Sequence, residues 1–331
     1  MGEMRKSRKG IFFTLTAILI TAFFLLTIRN NQVPVDDVQQ IRIQLVHDFL
    51  AATEQSYAKE YLEISAVKAL RAYDQVILSR EGTGQDPYPT HVEGEFSTFL
   101  VEMMRDGYAP GSSTLHPIMD GNTLDARFNE LRMIGEDLLS ISLDLSMSDI
   151  TISQASPWII TVTGKLSYHA ESPGLGLWQK ESIIASNISI EGFDDPLYSA
   201  HGLAHPIKKS VVVDWSQDTR AAVTQHYLDT TYRSYPAAPS FLGRYYGSTS
   251  PSPFGIESII RPAKFGLSQD FVSYADYIYF TCGIGDPSCR GCDKVYMVYP
   301  NRIPFVTEPV YLDEEHILSY SIYESEPACP V

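Results

Sequence analysis

Cysteine is scarce: the chain has four in 331 residues, and none before Cys282. No bridge and no thiolate ligand can therefore hold the first 281 residues. Basic residues are also few, 25 Lys and Arg against 40 Asp and Glu, for a net charge of −15. Five of the basic groups (Arg5, Lys6, Arg8, Lys9, Arg29) fall within residues 1–29, where the single acid is Glu3. Residues 30–331 thus hold 20 basic and 39 acidic groups, a net −19. Such a surface repels phosphate backbones, which excludes nucleic acid as a partner of the folded part. The standard catalytic signatures are missing. There is no G-x-x-x-x-G-K-[ST] loop for phosphates and no G-x-S-x-G elbow; the nearest stretch, Gly247-Ser248-Thr249-Ser250-Pro251, has Thr where the nucleophile belongs. The GTG and GLG stretches lack the third glycine and the strand-to-helix setting of a dinucleotide site. With 44% apolar and 20% charged residues, the chain is too rich in core-forming side chains to be disordered throughout.

What is present begins with residues 11–28, IFFTLTAILITAFFLLTI, which contain no charge, Pro or Gly. As a helix at ~1.5 Å per residue they reach roughly 27 Å, near the ~30 Å of a bilayer's hydrocarbon. Four basic residues precede the run, so the positive-inside rule leaves the amino terminus in the cytoplasm and the bulk of the chain outside. Leu25 to Arg29 offers no small-residue pair for ordinary signal cleavage, which favours an anchor that stays in the lipid.

Beyond Pro34 the chain divides by period. From Val38 to about Ser79 there is neither Pro nor Gly. Val38, Ile41, Leu45, Phe49 and Ala52 recur at three or four, as do Ile64, Val67, Leu70, Tyr73 and Ile77. This predicts a long amphipathic helix with a joint near Ser56. Shorter helices are predicted at 96–105 and 124–139. Three runs at period two then follow (Ile141 to Met147, Trp158 to Tyr168, Ile184 to Ile190), split by QASP and AESPGLG turns. They predict an antiparallel meander with one wet face, the long helix covering the dry one. The expected fold class is α+β: a transmembrane helix at 11–29, a helix-plus-sheet domain at 36–195, and a mainly β domain at 200–331 that holds 13 of the 20 Tyr and all four Cys. Residues 216–233 look helical, and Asp195-Pro196 reads as the connector between the two domains.

Candidate chemistry is sparse. Cys282, Cys289, Cys292 and Cys329 are spaced C-x6-C-x2-C-x36-C. Outside a membrane this reads first as two disulfides, Cys282 with Cys289 and Cys292 with Cys329 being the preferred of three pairings. The longer bridge would tie down the tail, worth roughly 3 kcal/mol in the chain-entropy picture. A four-thiolate zinc site is the alternative, weakened by the lack of a second CxxC. His201 and His205 near Asp194 and Asp195 are the only His pair at metal spacing, but Gly202 and Pro206 make this a turn region. His47, His91, His116, His169, His226 and His316 are scattered. Asp313 to Glu315 reads as a solvated acidic face. Asn187-Ile188-Ser189 is an N-glycosylation sequon, with Asn187 on the wet side of its strand.

Lys9-Gly10 followed by Ile11 and the apolar run resembles the class III leader of type IV pilins and archaeal pilin-like proteins. The resemblance implies cleavage between Gly10 and Ile11, with the apolar helix kept as a filament stem. The chain departs from it at Leu15, where bacterial major pilins carry Glu, and at Ile11, where archaeal relatives often carry Gln. The stretches SPWIITVTGKLSY, ISIEGFDDPLY, APSFLGRYYGSTSPSPFGIESII, SYADYIYF and LDEEHILSY resemble uncharacterised archaeal membrane-anchored surface proteins. That likeness implies an exported single-pass protein assembled by pilus-type machinery or with other surface proteins, and it transfers no catalytic residue. The function expected is therefore an anchored structural or adhesive surface protein, possessing no cofactor and contacting lipid through residues 11–28. The alternative is an anchored metal-dependent hydrolase using Asp195, His201 and His205.

Overall fold

The computed structural model describes residues 18, 35–210, 223, 226–267, 272–281, 295–298, 310–320, 322 and 326–327. The anchor run apart from Ile18, the Gly10–Ile11 junction and all four cysteines lie outside them. Among the described residues no helix is long and apolar enough to cross a membrane.

The uninterrupted stretch after residue 34 forms α1 (Val35–Ala52), a π turn (Thr53–Tyr57) and α2 (Ala58–Arg80). The joint expected near Ser56 is this π turn. Thr53 is fully buried there and its hydroxyl donates to the Phe49 carbonyl at 2.9 Å, a back-bond that competes with the helical ladder. Helix α3 (Glu93–Asp106) stops at Gly107, whose φ of +83° lets its N–H reach the Met103 carbonyl at 3.0 Å. Helix α4 (Leu124–Leu139) starts where the Thr123 hydroxyl accepts from the Ala126 N–H at 3.1 Å.

The period-two runs form β1 (Ser142–Ser156), β2 (Ile159–Ser172) and β3 (Gly176–Ser189), an antiparallel sheet in the order β1-β2-β3. Its dry face includes Leu143, Leu145, Ile160, Val162, Leu166, Ala170, Ile184 and Ile188. Helix α2 lies against β2 and β3, and α4 against β1. The chain is thus α+β, with a three-stranded antiparallel sheet following its helices. Gly164 sits on the dry side, where a Cβ would come 2.8 Å from the Met147 Sδ. The opposite face is lined with hydroxyls that pair across strands: Thr151 with Thr163 at 2.6 Å, and Thr161 donating to Asn187 Oδ1 at 2.8 Å.

After β3 the elements become short: α5 (Pro196–Ser199), β4 (Tyr232–Ser234), α6 (Phe241–Arg244), β5 (Ile256–Ser258), α7 (Pro262–Phe265), α8 (Asp276–Thr281), β6 (Val295–Val298), β7 (Val310–Asp313), α9 (Glu314–Ser319) and β8 (Glu326–Pro327). Of the stretch expected to be helical, 216–233, residues 223 and 226–229 are helical, but its end belongs to strand β4 (232–234), whose Tyr232 and Arg233 pair with Ser258 and Glu257 of β5. One cluster of buried apolar side chains runs continuously from Val46 to Tyr320. Asp195-Pro196 is therefore no exposed linker. Asp195 caps α5, its Oδ1 accepting from the Leu197 N–H at 2.9 Å, and both residues are buried.

Candidate functional site: a buried charge network

The short elements of the C-terminal half converge on ionised side chains sealed from water. Arg244, the last residue of α6, is fully buried. Its Nη1 donates to Asp195 Oδ2 at 2.6 Å and to Asp276 Oδ2 at 2.8 Å, and its Nη2 donates to Asp276 Oδ1 at 3.3 Å and to the Ile256 carbonyl. Tyr232 donates to Asp195 Oδ2 at 2.9 Å, and Ser258 donates to Asp276 Oδ2 at 3.1 Å. The Tyr198 hydroxyl lies 3.0 Å from that of Ser258. Burial works against the Arg244 charge, but the two carboxylates more than offset it and hold its proton firmly. Burial raises the Asp276 carboxyl against the pull of Arg244, and Asp195 and Glu257 push it the same way.

A second group adjoins the first through the β4–β5 pair. Arg233 Nε donates to Glu257 Oε1 at 2.6 Å, and its Nη2 to Ser319 Oγ at 2.8 Å. The Arg233 guanidinium lies 3.7 Å from the Tyr320 ring centroid, and Tyr320 donates to Glu257 Oε1 at 3.1 Å. His316, fully buried on α9, stands between two carboxylates: Nε2 is 2.8 Å from Glu257 Oε2, and Nδ1 is 2.7 Å from Asp313 Oδ2. Burial alone would strip its proton, yet Glu257 and Asp313 raise it to about 10, so both ring nitrogens donate. Against the cost of burial, His316 and Arg233 hold Glu257 down to about 2; hydrogen bonds and charge from His316 hold Asp313 at about 2 as well.

This chemistry is that of a fastening. An imidazolium bound to two carboxylates is no general base. Ser273 donates to Asp313 Oδ2 at 2.5 Å and not to an imidazole, so Ser273, Asp313 and His316 do not form a nucleophile-and-base series. The groups at the centre (Asp195, Arg244, Asp276, Glu257, His316) are fully buried.

The structure places the residues singled out in the sequence as follows. Asn187 is exposed, on the face opposite Ile184 and Ile188. Asp195 belongs to the Arg244 network. His201 is exposed, its Nδ1 3.0 Å from the Leu197 carbonyl and its ring stacked on Phe280 at 4.4 Å. His205 is buried, its ring 4.3 Å from that of Tyr198, and burial pushes it down to about 4. Asp195, His201 and His205 do not assemble as a ligand set: among the described residues no group of three or more His, Cys, Asp or Glu could hold a metal. Gly10, Ile11, Cys282, Cys289, Cys292 and Cys329 lie outside the described residues. Asp313 departs from its reading as a solvated acid, because it caps α9 and clamps His316, while Glu314 and Glu315 are exposed. Arg244, Glu257, Asp276 and Asp74 were missed by the sequence reading. The signal available was a lone charge within apolar neighbours, as in FLGRYY, GIESII, YADYIY and AYDQVI. Comparison of the chain with protein-family models, with curated proteins and with solved structures found no match.

Proposed function

We propose that this protein is a single-pass, membrane-anchored structural or adhesive surface protein whose folded bulk lies outside the cell. The observation that carries the reading is the uncharged apolar run 11–28 behind four basic residues. Two features support it. Helix α1 begins at Val35, seven residues after the run, and leads into the folded body. Among the described residues, Asp195, Arg244, Asp276, Glu257 and His316 are buried in ion pairs, as suits a rigid scaffold. In this reading Gly10–Ile11 is the processing junction of a minor pilin-like subunit, Cys282–Cys289 and Cys292–Cys329 are the bridges of the outer part, and Asn187 is available to a glycan.

The test uses the full-length chain in native membranes. Alkaline carbonate should leave it in the pellet, and protease added to intact cells should digest the bulk. Intact mass then separates a processed subunit, lacking residues 1–10, from a plain anchor, and thiol counting without reductant should find none free. A carbonate-soluble, protease-protected chain would overturn the proposal.

A further inference from the structure

The sheet ends in two unlike edges. At one, β1 breaks register with β2 twice, between Ser148 and Thr151 and between Gln154 and Ser156, and Asp149 there has a φ of +51°. Helix α4 lies against that strand, and the Leu145 carbonyl accepts from Arg132 Nη2. Bulges and a covering helix close a sheet edge to further strands. At the other edge, β3 keeps unbroken register with β2 from Gly176 to Ser189. Among the described residues no backbone group pairs with its outer side. Its two charges are already engaged, Lys180 with Glu54 at 2.7 Å and Glu181 with Lys165 at 2.8 Å. At mid-strand stands Ile183, 80% exposed, the most exposed large apolar side chain among the described residues.

The direction of the chain limits what can meet this edge. Glu54 in the π turn holds Lys180, and further along, on α2, Glu63 accepts from the Ser186 hydroxyl at 2.8 Å. The π turn and α2 therefore run beside β3 in the same direction. Ala52 and Ala58, which flank the π turn, have helical dihedrals, so α1 continues that line past the Gly176 end. With residues 11–28 in a bilayer, the membrane lies toward that end and Ser189 points away from it.

We propose, on the anchored and adhesive reading, that the open edge of β3 is a homophilic seam: it pairs antiparallel with β3 of a second copy anchored in a facing membrane. A two-fold axis through the seam keeps both dry faces on one side, joins the two three-stranded sheets into one, and sends the two stems in opposite directions. Centred on Ile183, the pairing covers that side chain with Ile183 of the second copy. Gln179 then faces Asn187 of the second copy, Glu181 its Ala185, Lys180 its Ser186 and Trp178 its Ile188. No like charges meet, whereas a centre on Lys180 or Glu181 would oppose equal charges. A copy in the same membrane would present β3 in parallel, with its dry face turned to the opposite side.

The test uses the full chain carrying Asn187→Gln, which keeps any glycan off the seam, in phosphatidylcholine vesicles of two colours. Flotation and added protease report insertion and an outward bulk, and energy transfer between the dyes reports clustering. The two populations should cluster. Ile183→Lys in both, or Ile183→Glu in both, sets like charges face to face and should cut clustering by about tenfold or more. Vesicles with Ile183→Lys mixed with vesicles with Ile183→Glu should cluster again. At so exposed a position neither change disturbs the core. Floating vesicles that do not cluster, or that cluster alike with every combination of variants, overturn the seam and leave the anchor standing. A chain that does not float overturns the anchor, and with it the facing membranes; its sedimentation as a monomer would overturn the strand pairing as well.

Discussion

Alkali should unfasten the C-terminal half through His316. The folded chain holds the His316 proton to about 10, whereas the ordinary value is 6.5. Between those two values the folded state keeps a proton that the unfolded state has released. The contribution is therefore complete below 6.5, declines by about 1.4 kcal/mol per pH unit above it, and is gone above about 10, a total near 5 kcal/mol. Glu257 and Asp313, held at about 2, are ionised in both states throughout this window and add no slope. The control is His316→Gln, which removes the titration while leaving Glu257 its bonds to Arg233 and Tyr320. Urea unfolding of both chains in detergent at pH 6, 7, 8 and 9 gives the difference in stability, from which other titrating groups drop out. That difference should be largest at pH 6 and smaller by about 3 kcal/mol at pH 9. A difference that holds constant from pH 7 to 9 would refute the assignment of His316 as an imidazolium clamped by two carboxylates.

Two substitutions test the packing. Gly164→Ala drives a Cβ to within 2.8 Å of the Met147 Sδ and should cost about 1–3 kcal/mol in urea unfolding, part of it recovered by Met147→Ala. Arg244→Met strands Asp195 and Asp276 in the interior and should lower stability by about 3–5 kcal/mol, seen as an earlier denaturation midpoint with an unchanged slope.

The long elements were legible because each spans several repeats of its own period. Leu124, Phe128 and Leu131 announce α4, and Leu143 and Leu145 announce the dry face of β1, whatever the rest of the chain does. After residue 195 that signal fails. An element of three to six residues is shorter than the window in which a period can be recognised, and Tyr232–Ser234 could be read as the end of a helix for that reason. The network was illegible for another cause. Its partners are 49 residues apart for Asp195 and Arg244 and 32 for Arg244 and Asp276, so only tertiary structure brings them together. Asp313 shows how misleading composition becomes: it shares a run of acids with Glu314 and Glu315, yet its cap geometry turns it inward to His316 and leaves those two in water.

Short strands offer few ladder bonds, so the C-terminal half must fix its chain by other means. A guanidinium supplies several donors in a rigid plane, and Arg244 uses them to bind the head of α5, the start of α8 and a carbonyl of β5 at one point. This determines which segments meet, but it need not add net stability, since three charges have been taken out of water. The two effects separate experimentally. Replacing the trio together (Asp195→Asn, Arg244→Met, Asp276→Asn) leaves no unpaired charge and keeps one acceptor oxygen at each carboxylate position, while each new amide NH2 can donate to a hydroxyl, Tyr232 or Ser258, that donated before. The triple variant should therefore lose less stability than Arg244→Met alone, while exchange of the amides in 194–205 and 276–281 should quicken as the unique arrangement slackens. If the triple variant instead loses as much as its three single changes summed, the network is a true source of stability and not only of specificity, and the argument from desolvation fails.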